Sequence, residues 1–294
     1  LVRNADAAMY HAKNSGRNNF QFYSTEMNAQ AAQRLAMETA LRRAVDKDEL
    51  YLHFQPQINL ATGTISGAEA LLRWKSEEWG DVSPADFVPI LEDTGLISEV
   101  GTLVLRQAVQ AYLSLKDKLD PNFQIAVNLS GRQFHGGQLS RFVSDLLAET
   151  GMQAKNLELE ITETVLMDDK ELAVTTLNEL SDLGITLAID DFGTGYSSLS
   201  YLKQFPLNVL KIDRSFVRDV TVDADDAAIV DAILAMSRRL QLTVVAEGVE
   251  SKEQLSFLQD NDCERVQGYY FSKPLEFEAF SEFVEQADIK SIIS

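Results

Sequence analysis

The sequence predicts an α/β protein built as a modified TIM (β/α)8 barrel with an antiparallel first strand. From Phe123 onward, short apolar runs alternate with helix-length segments, the rhythm of parallel strands joined by crossover helices. Two earlier strand-like runs bring the series to the eight that a barrel needs. Almost every run also stops at a polar residue, and side chains at the carboxyl ends of strands are where α/β proteins bind their ligands. An open doubly wound sheet is the alternative, because periodicity does not establish closure.

The elements follow in order. Leu1 to Phe22 begins abruptly: Ala5, Ala8, Met9 and Ala12 could line a helix, Ser15-Gly16 would end it, and Phe20 and Phe22 suggest a short strand. Glu26 to Lys47 is rich in Ala, Met, Leu, Glu and Arg, and reads as a linker helix. Leu50 to Ile58 and Ile65 to Trp74 are strands joined by the turn Ala61-Thr62-Gly63, a connection short enough to make them antiparallel. Phe87 to Leu91 and Val100 to Leu119 read as helices. Strands are then expected at Phe123 to Leu129, Leu157 to Ile161, Thr186 to Ile189, Val209 to Ile212, Thr243 to Ala246 and Arg265 to Gln267. The helices between and after them are Leu139 to Glu149, Glu171 to Leu183, one near Ser198 to Lys203, Ala227 to Leu240, Lys252 to Leu258 and Phe277 to Val284. The expected division is 1–25 as the tail of another domain, 26–47 as the linker and 48–294 as the barrel.

Composition narrows the function classes. The 294 residues carry 45 acidic against 26 basic side chains, a formal net charge of −19, which disfavours a long nucleic acid as partner. A small anion remains possible if cations screen the site. Cys263 is the one cysteine, expected to be structural rather than nucleophilic. No signal peptide and no membrane-length apolar run is found, so the expectation is a cytoplasmic protein whose full-length parent could be membrane-anchored. His11, His53 and His135 stand apart from one another, which disfavours a histidine-based zinc hydrolase.

The polar residues at the strand ends carry the chemistry. They are Glu69 and Arg73 on the second strand, Asn128, Glu160 with Glu163 just beyond, Asp190 and Asp191, Lys211 and Asp213, Glu247 and Glu250, and Gln267. Any one of them could be a cap or a surface acid, an account that weakens when repeated at almost every strand. Oxygen donors without thiolates select Mg²⁺ or Mn²⁺, and two such cations would explain why adjacent Asp190 and Asp191 tolerate each other. Metal pairs of this kind serve phosphoryl chemistry. Lys211 could orient a water or steady a phosphate oxygen, and the planar fork of Arg73 could bridge phosphate oxygens. Gly193-Thr194-Gly195 lacks the rest of both a kinase signature and a GxGxxG turn, and reads better as a loop closing beside the acids.

The same residues resemble the EAL domain, the cyclic-di-GMP phosphodiesterase family. Glu69-Ala70-Leu71 lies within GAEALLRW, and the match continues through FQP at 54–56, VNLS at 127–130, ELEITET at 158–164 and DDFGTGYSSL from Asp190. It extends through KIDRSFV from Lys211, AEGVE from Ala246 and QGYYFSKP from Gln267. The resemblance implies hydrolysis of cyclic-di-GMP to linear pGpG by a water activated by two metal ions. It implies Glu69, Asn128, Glu160 and Asp190 as ligands of one ion, with Asp190 bridging to a second held by Asp191 and Glu247. Lys211 would position the water, supported by Gln267 with Asp213 close by. Gln55, Leu71 and Arg73 would contact substrate, Glu250 would recognise guanine, and Glu163 would anchor the loop after Asp191. A homodimer is implied as well. The segment ADAAMYHAKNSGRNNF resembles the end of a GGDEF domain, so upstream GGDEF or sensor domains are expected in the parent chain. The competing reading is a catalytically weak or inactive cyclic-di-GMP receptor or regulatory module.

Overall fold

The computed structural model describes Met9 and residues 22–193 and 202–293. Most of the expected GGDEF remnant, and the expected loop and helix start from Thr194 to Tyr201, lie outside the described residues. In chain order the strands are β1 (Leu50–Asn59), β2 (Thr64–Ser76), β3 (Gly80–Val82), β4 (Gln124–Asn128), β5 (Leu157–Thr162), β6 (Thr186–Phe192), β7 (Val209–Ile212), β8 (Thr243–Glu247) and β9 (Arg265–Gln267). The chain divides into two compact units, Leu1–Leu50 with Arg73–Leu96, and Tyr51–Leu72 with Ile97–Ser294.

The larger unit holds a closed, mixed barrel surrounded by helices. The strand order β1-β9-β8-β7-β6-β5-β4-β2 is completed by pairing of β1 with β2, so the alternative of an open sheet is set aside. Pairing is parallel from β2–β4 through β8–β9. β1 runs antiparallel to β9, with Ile58 opposite Val266, as its short link to β2 predicts.

Successive side chains on a strand face opposite ways, and the pattern divides each strand here between helices and lumen. Leu157, Leu159 and Ile161 of β5 are fully buried and alternate with Glu158 and Glu160. On the next three strands Ala188, Val209 and Val245 pack together as one cluster. Two residues further along come Asp190, Lys211 and Glu247. A layer of small apolar groups thus underlies a layer of charge at the carboxyl ends.

The flanking helices form for local reasons. Ile97–Leu115 buries Val100, Val104, Leu105, Ala108 and Val109, a helical spacing; a buried Leu or Val contributes about 2 kcal/mol. Ser130 and Ser251 each open a helix with a reciprocal capping box, to Gln133 and Gln254. Asp223 accepts from the amides of Asp225 and Asp226 at the start of Ala224–Leu240. Among the described residues no helix is long and apolar enough to cross a membrane.

In the smaller unit, helix Thr25–Asp46 replaces the expected 26–47 almost residue for residue. Pro84–Thr94 extends the expected helix in both directions, from Pro84 at its first turn to the left-handed Gly95. β3 was not expected; it pairs antiparallel with the end of β2, Trp74 opposite Val82. The Trp74 indole donates to Glu49 Oε2 at 3.1 Å and its ring meets Phe87 edge-on at 5.7 Å.

Candidate active site

The paired aspartates lie inside a strand rather than at its end. β6 continues to Phe192, and its register against β7 shifts: Ile189 pairs with Leu210 and Phe192 with Ile212. Asp190 and Asp191 therefore share the position opposite Lys211, a β-bulge. Asp191 takes φ +54°, uncommon outside glycine, and its amide donates to Asp190 Oδ1 at 2.9 Å. The bulge breaks the alternation that would send the two carboxylates to opposite faces, and both line one cavity.

Lys211 occupies the centre of the charged layer and is fully buried. Its Nζ lies 2.6 Å from Glu160 Oε2, 2.7 Å from Glu247 Oε1, 3.3 Å from Asp190 Oδ1 and 3.7 Å from Glu69 Oε2. Asn128 Nδ2 donates to Glu69 Oε1 at 2.6 Å, and Gln267 Nε2 donates to Glu69 Oε2 at 2.6 Å and to Gln55 Oε1 at 3.1 Å. Gln55 in turn donates to the Ser272 carbonyl. All eight barrel strands contribute to this constellation.

One ammonium does not neutralise so many carboxylates, and the proton affinities record it. Burial works against Lys211 charging, yet Asp190, Glu160, Glu247 and Glu69 together hold it well above the usual lysine range. Burial raises Glu69 too, but Lys211 and the bonds from Gln267 and Asn128 bring it below the usual carboxylate range. For Glu160, burial outweighs the attraction of Lys211 and the carboxyl sits well above that range. Glu247 is pushed up to about 8 by burial, only partly offset by Lys211. Asp191 is raised by burial, then by Asp190 and Asp213.

This donor set fits hard cations. It consists of carboxylates and one amide, without thiolates, it is short of positive charge, and Glu160 Oε1 is a buried oxygen with no hydrogen-bond partner. Among the described residues no three His, Cys, Asp or Glu side chains are disposed to hold a metal as they stand; Lys211 holds the space between Glu160, Asp190 and Glu247.

The cavity above this layer measures about 310 Å³. Of the residues singled out from sequence, Gln55, Glu69, Leu71, Asp190, Asp191, Asp213, Glu247, Glu250 and Gln267 line it. Asn128, Glu160 and Lys211 join them through the contacts above. Asp213 also caps the helix Arg214–Arg218 by accepting from the Ser215 amide at 3.0 Å. Glu163 is buried at the start of Glu163–Asp168, while the loop it was expected to anchor lies outside the described residues. Arg73 belongs to the smaller unit.

Sequence reasoning missed two groups. Arg214, Gly248, Gly268 and Tyr269 also line the cavity; they sit beside motif residues whose charge drew the attention. Glu158 lies fully buried within the barrel, its carboxyl pushed up to about 7 by burial despite Arg265 Nη1 at 3.8 Å and the more distant Lys211. Its spacing of two from Glu160 was the available signal. Cys263 is buried and its thiol is pushed up to about 12 by burial, in keeping with a structural role.

Comparison with known proteins agrees with this geometry. The model of the EAL domain matches residues 38–274. MucR of Pseudomonas aeruginosa, a bifunctional diguanylate cyclase/cyclic di-GMP phosphodiesterase, is 43% identical over 275 residues, 94% of this chain and 40% of that protein. The cyclic di-GMP phosphodiesterase NbdA of the same organism is 43% identical over 284 residues, 97% of this chain and 36% of NbdA. The chain thus spans less than half the length of either relative. The structure of the PaMucR phosphodiesterase in its c-di-GMP complex superposes with a TM-score of 0.81 at 41% identity, covering 83% of this chain and 99% of the other. The FimX EAL domain of Xanthomonas citri shares the fold alone, at 22% identity and a TM-score of 0.76 over 85% of this chain and 98% of the other. A barrel with one antiparallel strand, an acidic mouth built around Lys211 and a family match across most of the residues place this chain in the EAL-domain family.

Proposed function

We propose that this chain hydrolyses one 3'-5' phosphodiester bond of cyclic-di-GMP to give linear pGpG. The observation that carries the proposal is the β6 bulge, which sets Asp190 and Asp191 at one register position opposite Lys211 in a cavity shared with Glu69, Glu247 and Gln267. The cyclic di-GMP phosphodiesterases named MucR and NbdA support the substrate.

Mg²⁺ or Mn²⁺, two per site, would supply Lewis acidity and a water of lowered pKa. Glu69, Asn128, Glu160 and Asp190 would hold one ion and Asp191 with Glu247 the other, Asp190 being shared. The remaining roles belong to the chain itself. Lys211 Nζ, held by Glu160 and Glu247, donates to the attacking water and keeps it in line with the phosphorus. Gln267 clamps Glu69 and Gln55 in one hydrogen-bonded row, so the ligand carboxylate keeps a single orientation. Gln55, Leu71 and Asp213 contact the substrate, Asp213 close to the Lys211 network, Glu250 accepts from guanine, and Arg73 pairs with phosphate. Glu163 anchors the loop that follows Asp191. In the parent protein, the segment 1–25 closes a GGDEF domain, the chain acts as a homodimer, and an upstream sensor sets its activity through that loop.

The test is to incubate the purified chain with cyclic-di-GMP and either cation and separate the products. Metal-dependent pGpG is expected. Tight binding with the dinucleotide recovered intact under both metals would replace the enzyme with a cyclic-di-GMP receptor.

A further inference from the structure

A second cavity, of about 270 Å³, lies among the helices Ile97–Leu115, Gly131–His135 and Leu139–Thr150, all within the larger unit. It shares no lining residue with the acidic mouth, and its charge is of the opposite kind. The mouth is walled by six carboxylates and one arginine. The second cavity is lined by Arg132 and, among the described residues, by no acid. In a chain of formal net charge −19, an acid-free hollow with a guanidinium in its wall is a place where a small anion escapes the prevailing repulsion.

The walls are fixed by local contacts. Gln133 Oε1 accepts from the Ser130 amide at 3.3 Å and the Ser130 hydroxyl at 2.9 Å. Its other end rests against Gly101, where a Cβ would stand 2.0 Å from Nε2. Glycine inside a helix is destabilising, and here it lets Ile97–Leu115 approach Gln133 closely enough to close that side. Leu139 and Phe142 supply the apolar wall. The Arg106 guanidinium carbon, 5.5 Å from the centroid of the Phe142 ring, steadies the ring, while Arg106 Nη1 pairs with Glu149 at 3.1 Å. Gln138, at the start of Leu139–Thr150, makes no side-chain cap bond, so its amide is left for a ligand, as is the hydroxyl of Ser98 on the opposite helix. Apolar surface with a few converging polar groups is the make-up of a small-molecule site.

The donor set selects the ligand. A planar guanidinium fork matches a carboxylate, and a single arginine balances a single negative charge, whereas a phosphate monoester brings about two. An aromatic ring against Leu139 and Phe142 would bury apolar surface at the same time. We propose that this cavity binds a small aromatic carboxylate, its charged end on Arg132 with Ser98 and Gln138 donating beside it. The proposal does not rest on the phosphodiesterase reading.

Benzoate is the probe. Benzyl alcohol keeps the ring and loses the charge, and acetate keeps the charge and loses the ring. Each is titrated into the purified chain, without divalent cations, while the glycine amides are followed by NMR. Benzoate should shift Gly101 and Gly136 saturably and leave Gly248 and Gly268 of the mouth in place, and the other two probes should bind at least about tenfold more weakly. Arg132→Gln removes the cation and Ser98→Asp sets a carboxylate in the cavity; each should weaken benzoate about tenfold and leave benzyl alcohol unchanged. The proposal is overturned by the absence of a saturable benzoate shift, by shifts confined to the mouth glycines, or by benzyl alcohol binding as well as benzoate. It is equally overturned if both variants bind benzoate as the wild type does. The ranking of the three probes is read in the wild type alone, so it decides the matter even if a variant fails to fold.

Discussion

Glu160 and Glu158 stand two residues apart on β5, both point into the barrel, and both are buried. Glu160 has Lys211 at 2.6 Å and an acidic neighbourhood open to the mouth. Glu158 has Arg265 at 3.8 Å and no hydrogen-bond partner for either oxygen. Arg265 meanwhile donates to Gln124 Oε1 at 2.7 Å, and Gln124 donates to Thr186 Oγ1. The upper layer gathers charge of one sign around a single cation, which raises the affinity for additional positive charge. Below it, beside the small apolar groups of β6, β7 and β8, Glu158, Arg265, Gln124 and Thr186 form a polar filling that joins neighbouring strands. Under the proposed function the upper layer serves the chemistry and the lower one the scaffold, and substitutions should tell them apart.

The largest effect is expected in the upper layer. Glu69→Ala removes a proposed ligand and the acceptor of both Asn128 and Gln267. Turnover should fall by at least about a hundredfold, since even groups that only support metal ligands are worth 10–100-fold. A rate within a few-fold of wild type at saturating Mn²⁺ would contradict the assignment.

Lys211→Met comes next. It leaves Glu160, Glu247, Asp190 and Glu69 facing one another without their ammonium, and breaking such a buried pair costs about 3–5 kcal/mol. Chemical denaturation without divalent cations should show the loss, and Mg²⁺ or Mn²⁺ should restore part of it. Unchanged stability would mean that the lysine is not what holds these acids together.

Glu158→Gln probes the lower layer through pH. A carboxyl raised from 4.5 to about 7 contributes stability that is fully present below pH 4.5 and is lost as pH climbs through 7. At about 1.4 kcal/mol per pKa unit the loss approaches ~3 kcal/mol by pH 8. The glutamine variant, which cannot ionise, should show a flatter stability profile between pH 5 and pH 8, about the window that shift defines. Parallel profiles for the two proteins would count against the raised carboxyl.

Thr186→Val is the mildest. It deletes the hydroxyl that accepts from Gln124 Nε2, a loss of about 1 kcal/mol, and it should leave turnover unaltered. A drop in rate larger than the drop in stability would show that the lower layer also tunes the chemistry.

Much of this was legible in the chain. Strand–helix alternation marked the barrel because parallel strands covered on their outer face by helices need apolar runs. The polar stops after those runs named most of the acids that converge at the mouth. Three features escaped for physical reasons. The β6 bulge depends on hydrogen-bond register against β7, which no local pattern encodes, so the strand was expected to stop at Ile189. β3 is too short for a periodicity to register. Tyr269 carries no charge and sits in an apolar-looking QGYYF, where an aromatic ordinarily signals core, yet it stands 55% exposed in the cavity wall.

By itself the sequence determined which residue types stand where each strand ends, because the period of two and the apolar runs are local properties of the chain. It also determined that the site would be made of oxygen donors under a strongly acidic balance. Only the tertiary structure decided that the sheet closes, that Asp190 and Asp191 share one position, and that a single buried ammonium stands among four carboxylates. Those are statements about distances between segments up to 208 residues apart, from Ile58 to Val266, and such distances are set by the register of strand against strand.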